Sequence, residues 1–284
     1  MPELPEVESV RRSLEPNVLG RVIVRAEVNR RDFCVHPATG SRVRGASPRE
    51  FLESARIVRL ERLGKQLAFV SDDHRACVLQ LGMSGTVSIN PADTAKHTHA
   101  AWTLDDNTRI DFVDPRRFGG ITCYPTFDDL RTRHWRDLGP DALVAEPRHL
   151  IEACRDAKRA IKAVLLDQSV LAGVGNIYAD ESLFRAGIDP RAIARRLPPD
   201  RLATLAEEVR GVLANAVKLR GSTLRDYRDP SGQPGSAQLT HAVYGRAGES
   251  CVRCSGVLKG CRLAQRATVW CPACQRRSWA RSSS

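Results

Sequence analysis

Apolar residues near the N-terminus recur at helical spacing: Val7, Val10, Leu14 and Val18 share one face, with Glu6 and Glu8 in the first turn. Pro5 suits a helix start, and Gly20 stops the helix. The pattern then changes to short runs rich in β-branched and apolar residues, broken by glycine, asparagine and aspartate. These runs predict strands over about 21–30, 56–63, 66–71, 75–81, 86–89, 100–105, 108–113 and 119–124. Asp105-Asp106-Asn107 reads as a hairpin turn between two of them. Many short strands with turn signals predict a β-sandwich, here with a helix at its N-terminal end. From about residue 125 the texture changes: Pro125, Pro140 and Pro147 punctuate a connector, and helical periodicity takes over. Over 199–219, Leu202, Leu205, Val209, Val212, Leu213, Ala216 and Val217 form a long apolar face that is read as core. Residues 229–235 are a mobile loop by composition. The expected class is α+β and multidomain, divided at 1–130, 131–245 and 246–284.

With 284 residues the chain has material for one large or two ordinary domains. Its 44 Lys and Arg against 33 Asp and Glu give a net charge of +11, which favours polyanionic partners. The distribution sharpens this. From Cys251 to Ser284 there are seven basic residues (Arg253, Lys259, Arg262, Arg266, Arg276, Arg277 and Arg281) and no acidic one. That is the footprint of a phosphate-facing surface. No apolar run approaches the ~20 residues needed to span a bilayer, and no signal-peptide pattern opens the chain. A cytoplasmic protein is expected. Cys34, Cys77, Cys123 and Cys154 are scattered through apolar or mixed segments and read as small buried hydrophobes.

Four features carry chemistry. Cys251-x2-Cys254 and Cys271-x2-Cys274, sixteen residues apart, have the spacing of one tetrahedral structural zinc site. Cys261 lies between the pairs as a bystander. Gln265-Arg266-Ala267-Thr268-Val269-Trp270 alternates like a strand, so a metal-clamped hairpin would carry Arg266 at its tip. The second feature is Gly173-Val-Gly175-Asn176-Ile-Tyr-Ala, between two helical stretches. Its glycines would let backbone N–H groups approach a phosphate, and Asn176 stands where an N-cap belongs; an ordinary glycine turn explains the spacing equally well. The third is a pair of loops between strands, Leu81-Gly-Met83-Ser-Gly85 and Asp114-Pro-Arg116-Arg117-Phe118-Gly119. Met and Phe normally pack a core. Exposed on glycine-flanked turns, they are what base-flipping proteins use to fill a vacated stack. The fourth is the start itself, Met1-Pro2-Glu3-Leu4-Pro5-Glu6. Removal of Met1 would leave a terminal secondary amine of low basicity beside two carboxylates; many chains start Met-Pro, however, and taken alone these residues are better explained as an ordinary helix start. Lys65, by itself, is an unremarkable surface lysine.

Taken together and in order, the Met-Pro-Glu-Leu-Pro-Glu-Val-Glu start, Lys65, Leu-Gly-Met-Ser-Gly, Asp-Pro-Arg-Arg-Phe-Gly, Gly-Val-Gly-Asn-Ile-Tyr-Ala, Val243-Tyr-Gly-Arg246 and the cysteine hairpin with Gln-Arg-Ala-Thr resemble the formamidopyrimidine-DNA glycosylase family. That family is related to the endonuclease VIII group, and Leu4 with the Asp-Pro-Arg-Arg-Phe-Gly loop favours the formamidopyrimidine branch. The resemblance spans almost the whole chain. It implies an N-terminal β-sandwich, a helix–two-turn–helix domain and a C-terminal zinc finger, with DNA in the cleft between. It implies a bifunctional DNA glycosylase and AP lyase of base excision repair acting on oxidised purines, chiefly 8-oxoguanine and formamidopyrimidines. Pro2 would attack C1′ and form a Schiff base; Glu3 would move protons; Glu6 would support the amine. Lys65, Asn176 and Arg266 would grip phosphates. Met83, Arg116 and Phe118 would fill the gap, and β- then δ-elimination would cut the strand. Arg117, Lys162 and Gly175 complete the expected DNA contacts. The cofactor would be one structural Zn2+. The partner would be damaged double-stranded DNA, bound by a monomer with no membrane contact, in a bacterial-type cytoplasm at the nucleoid.

The sequence departs from the family at Gln80, where a histidine that contacts phosphate is common. It also departs in the segment from about 228 to 242, which closes over the flipped base, and in the tail past Cys274, with Trp279 and Arg281, which is expected to be disordered. Other readings are an endonuclease VIII-like enzyme for oxidised pyrimidines, a non-catalytic lesion-binding protein, and a zinc-ribbon transcription factor. The last explains only the final forty residues or so.

Overall fold

The structure is a computed structural model that describes residues 2–29, 34–35, 42–43, 47–93, 95–225 and 227–277. Met1, Trp279 and Arg281 lie outside the described residues. The chain divides into two compact units, one of Met1–Asp137 with Leu219–Ser236, the other of Leu138–Lys218 with Ala237–Ser284. The segment that follows the long helix therefore returns to the first unit before the chain goes back to the second.

The first unit opens with helix α1 (Leu4–Val18). The strands follow as β1 (Ile23–Val28), β2 (Cys34–Val35), β3 (Arg42–Val43), β4 (Ile57–Leu63), β5 (Gln66–Ser71), β6 (Ala76–Gln80), β7 (Thr86–Ile89), β8 (Thr98–Leu104), β9 (Arg109–Val113) and β10 (Gly120–Tyr124). They form a four-stranded sheet in the order β1-β8-β9-β7 and a six-stranded sheet in the order β3-β2-β10-β6-β5-β4. Eight of the strands lie where the alternation predicts them; β2 and β3, two residues each, carry no such pattern. The predicted Asp105–Asn107 turn joins β8 to β9, with Asn107 at φ +65°.

Alternation in the six-stranded sheet explains its burial. Leu67, Phe69, Cys77, Leu79 and Ile121 point into the main core with Val7, Val10 and Leu14 of α1. Ala68, Val70, Ala76, Val78 and Tyr124 point to the other face, which Leu130 covers. Both faces of β5 and β6 are thus dry, and apolar burial of this kind contributes about 25 cal/mol per Å². Trp102 ties the layers together: its ring stacks on Phe69 at 5.7 Å and its indole N–H donates to the Phe51 carbonyl. After β10 come a single helical turn, α2 (Phe127–Asp129), and a π-helical turn over Leu130–His134.

The second unit holds α3 (Pro147–Cys154), α4 (Ile161–Leu165), α5 (Asn176–Arg185) and α6 (Pro199–Lys218), then a hairpin of β11 (Lys259–Leu263) and β12 (Arg266–Trp270). The α6 face predicted as core is buried, from Leu202 to Val217. Among the described residues no helix is long and apolar enough to cross a membrane.

Candidate active site

Pro2, Glu3 and Glu6 are buried at the head of α1. Glu3 is the N-cap and Glu6 stands three residues on, so the two carboxylates are the reciprocal halves of a capping box. Glu6 Oε2 accepts the Glu3 N–H at 2.7 Å, while Oε1 accepts the Ser222 N–H at 2.7 Å. Tyr227 donates its hydroxyl to the Glu6 carbonyl at 3.0 Å. Burial, then the Glu6 charge, push that phenol far above its ordinary value, so it stays a donor. Gly221 makes the arrangement possible. Its φ is +79°, and a Cβ there would lie 2.7 Å from Glu6 Oε1. Gly221, Ser222 and Tyr227 are absent from the sequence-derived site. The only local signal is a glycine after a long helix, which reads as a helix stop.

Lys65 follows Gly64 in the two-residue turn that joins β4 to β5. Gly64 alone has positive φ, +57°, as the first position of a type II′ turn requires. The turn is tied to α1 through Arg62, which donates to Glu8 at 2.9 Å and to the Gly64 carbonyl at 3.0 Å. Glu8 also pairs with Arg11 and Arg12. Burial alone would raise this carboxyl, but hydrogen bonds from Arg11, Arg12 and Arg62 outweigh it and hold the pKa at about 2.

The two loops at one end of β6 and β10 are locked together. A Cβ on Gly82 would fall 2.4 Å from the Gly119 nitrogen, and one on Gly119 2.5 Å from the Gln80 carbonyl oxygen. Asp114, fully buried, accepts from Ser84 (2.6 Å) and from the Gly119 N–H (2.7 Å). Its own carbonyl is held by His99 at 2.8 Å. This frame leaves Met83 38 % and Phe118 55 % exposed, with the Arg116 guanidinium 4.8 Å above the Phe118 ring. Arg117 sits at φ +58° beside them. The apolar side chains are therefore not core. Gln80 lies 3.4 Å from His134, which bonds the Tyr124 hydroxyl at 2.9 Å; burial lowers the His134 pKa. The 229–235 loop, mobile by composition, is closed on itself: Asp229 accepts from the N–H groups of Ser231 and Gln233.

In the second unit the cysteine hairpin is fixed to α5. Val269 N–H donates to Asp180 at 3.1 Å, and Asn176 donates to the Ala267 carbonyl at 2.9 Å. Lys162, expected among the DNA contacts, is fully buried. Its ammonium pairs with Asp180 at 2.7 Å and donates to the Ala267 carbonyl and Thr268 hydroxyl. It therefore anchors the hairpin and does not reach solvent. Burial raises the Asp180 carboxyl to about 6, against the pull of Lys162. Gly175, with extended backbone, is the N-cap of α5, so Asn176 is the first helical residue and not the cap. The β11–β12 turn has Ala264 and Gln265 both at positive φ, a type I′ pattern, and Arg266 follows it exposed.

The Sγ atoms of Cys251, Cys254, Cys271 and Cys274 lie within 4.8 Å of one another. Two of the separations are 3.9 and 3.5 Å. Four thiolates about 2.3 Å from one ion would stand ~3.8 Å apart, so the donor set fits a tetrahedral metal. The Arg253 N–H faces the Cys251 sulfur at 3.4 Å. Cys261, paired with Thr268 in mid-strand, is outside this cluster.

Residues 1–121 match the formamidopyrimidine-DNA glycosylase N-terminal domain, and residues 138–228 match the H2TH domain of the same enzymes. A formamidopyrimidine-DNA glycosylase of Laribacter hongkongensis is 42% identical over 97% of this chain and 100% of its own length. The crystal structure of the MutM (Fpg) protein of Thermus thermophilus is similar with TM-score 0.84 and 39% identity, covering 96% of this chain and 98% of that one. A Lactococcus lactis Fpg variant, crystallised with Fapy-dG containing DNA, gives TM-score 0.86 at 30% identity, over 97% of this chain and 100% of that one. With both domains matched and the likeness running the length of the chain, this protein belongs to the formamidopyrimidine-DNA glycosylase family.

Proposed function

We propose that the chain is a bifunctional DNA glycosylase and AP lyase that removes oxidised purines, 8-oxoguanine and formamidopyrimidines, in base excision repair. The relative crystallised with Fapy-dG containing DNA supports the substrate class. The observation that carries the chemistry is the buried head of α1, where Glu6 bridges the Glu3 and Ser222 amides beside Pro2.

Once Met1 is removed, the Pro2 nitrogen is a secondary amine whose lone pair attacks C1′ of the damaged nucleotide. The glycosidic bond breaks and the base leaves. Glu3 delivers a proton to the ring oxygen, and the opened sugar is held as an iminium on Pro2. That cation acidifies C2′, so proton loss expels the 3′ phosphate and a second elimination expels the 5′ phosphate. Glu6 keeps the helix head in place and lies near the developing positive charge. Lys65, Asn176 and Arg266 bind phosphates; Met83, Arg116 and Phe118 occupy the vacated stack, and Arg117 and Gly175 border these contacts. Extrusion costs a few kcal/mol and is cheapest at a damaged pair.

The four cysteines hold zinc in this reading. The ion supplies a rigid clamp for the hairpin and takes no part in bond breaking. The chain acts as a monomer in the cytoplasm, at the nucleoid, with its basic C-terminal segment on DNA; its domains run 1–130, 131–245 and 246–284 along the sequence, although Leu219–Ser236 of the second belongs to the first compact unit.

Borohydride trapping on a duplex carrying 8-oxoguanine opposite cytosine tests the reading, with intact protein mass confirming loss of Met1. A covalent adduct that is absent in Pro2→Gly is the expected result. No adduct from the processed protein, but one on a thymine glycol duplex, would move the substrate to oxidised pyrimidines. None on either would leave a lesion-binding protein.

A further inference from the structure

Cys77 and Cys123 take no part in the chemistry above, and each alone reads as a small core residue. The ladder of β6 and β10 places them directly opposite one another. Their sulfurs are 3.0 Å apart, and the Cys77 thiol also reaches the Glu50 carbonyl oxygen at 3.1 Å. Residues directly opposite in an antiparallel pair have Cα atoms about 4.5–5.5 Å apart, inside the range a disulfide needs. Cys34 is the nearest competitor in the sheet, but it pairs with Ile121, two residues along β10 from Cys123. Cys77 is buried whereas Cys123 is only partly so. Either sulfur is thus within reach of the other once one of them is oxidised.

We propose that Cys77 and Cys123 are a dithiol modification site that hydrogen peroxide converts to a cross-strand disulfide. The Cys123 sulfur attacks one peroxide oxygen, the O–O bond breaks, and water leaves, giving a sulfenic acid. The Cys77 sulfur then displaces the sulfenic oxygen as a second water, and the S–S bond forms. Two thiols are oxidised and one peroxide is reduced to two waters. Contact with Cys77 and burial push the Cys123 thiol up. Little thiolate is present at neutral pH, so the pair responds to sustained peroxide and not to traces. The bond would pin together the two strands from which the Met83 and Phe118 loops emerge.

The full-length, metal-loaded protein is treated with hydrogen peroxide, unfolded with a chelator, alkylated, and digested with trypsin without reductant. Peptide 76–96 should appear joined to peptide 118–131, and reduction should separate them. Two fewer of the nine cysteines should take up alkylating agent. The joined species should be missing from both Cys77→Ser and Cys123→Ser. Met83, exposed and within peptide 76–96, reports the dose through its sulfoxide. Conversion of Met83 with both cysteines still alkylated, or joining of either peptide to Cys34 or to a cysteine of the metal cluster, would overturn the proposal.

Discussion

The demand on Gly221 is severe because two requirements meet at one α-carbon. The backbone is left-handed there, which costs a residue with a Cβ about 1–2 kcal/mol, and the missing Cβ makes room for the Glu6 carboxylate. Gly221→Ala should therefore lower stability in urea by about 1–3 kcal/mol. It should also reduce borohydride-trapped adduct more than it reduces DNA binding, because Glu6 is displaced while the phosphate contacts are untouched. Equal losses in both would show that the substitution unfolds the unit. This residue was illegible in the sequence. Glu6 and Ser222 are 216 positions apart, and a hydrogen bond across that distance leaves no periodicity on either side. The grouping of Pro2, Glu3 and Glu6 at one helix head and of the four cysteines in one cluster was legible because it rests on residue type and short spacing. Lys162 misled for the opposite reason: a lysine reads as solvated unless its counter-ion is known, and Asp180 is eighteen positions away.

Three helices are held by charge as well as by packing. On α1, Glu8 keeps a carboxyl of pKa about 2 where an unfolded chain has about 4.5. A depressed carboxyl stabilises the fold fully above the unfolded value, and the contribution fades as pH falls through 4.5 toward 2. Comparing urea midpoints near pH 6 and near pH 3 should show a larger drop for the wild type than for Glu8→Gln. An identical drop in both would place the acid sensitivity elsewhere. On α4 and α5, Lys162→Met would strand the buried Asp180 charge beside the hairpin. Breaking such a pair costs about 3–5 kcal/mol, so the variant should release its metal to a chelator faster than the wild type does. The strands were legible because the main core takes every second residue. The π-helical turn at Leu130–His134 was not, since an i→i+5 bond has no composition signature. Asn176 was displaced by one place because an extended glycine, Gly175, takes the cap position, at a cost of only a few tenths of a kcal/mol against asparagine.

At the scale of the molecule, basic charge concentrates where the cysteines hold a hairpin that carries Arg266. Cys271→Ser should lose metal and weaken DNA binding together, with the slope of log affinity against log salt shallower by about one to three. Unchanged affinity in the metal-free variant would remove the hairpin from the binding surface. The two units are also interleaved along the chain: Leu219–Ser236 belongs to the first, although Leu138–Lys218 comes before it. A protein leaving the ribosome is made from the N-terminus at roughly 5–20 residues per second. The sheets and α1 can assemble while the second half is still being translated. The amide of Ser222 and the hydroxyl of Tyr227 arrive only after α6 has been made, so Glu6 waits for both. A nascent chain can thus form α1 early, yet the hydrogen bonds that hold Glu6 at its head are completed only during the last quarter of synthesis.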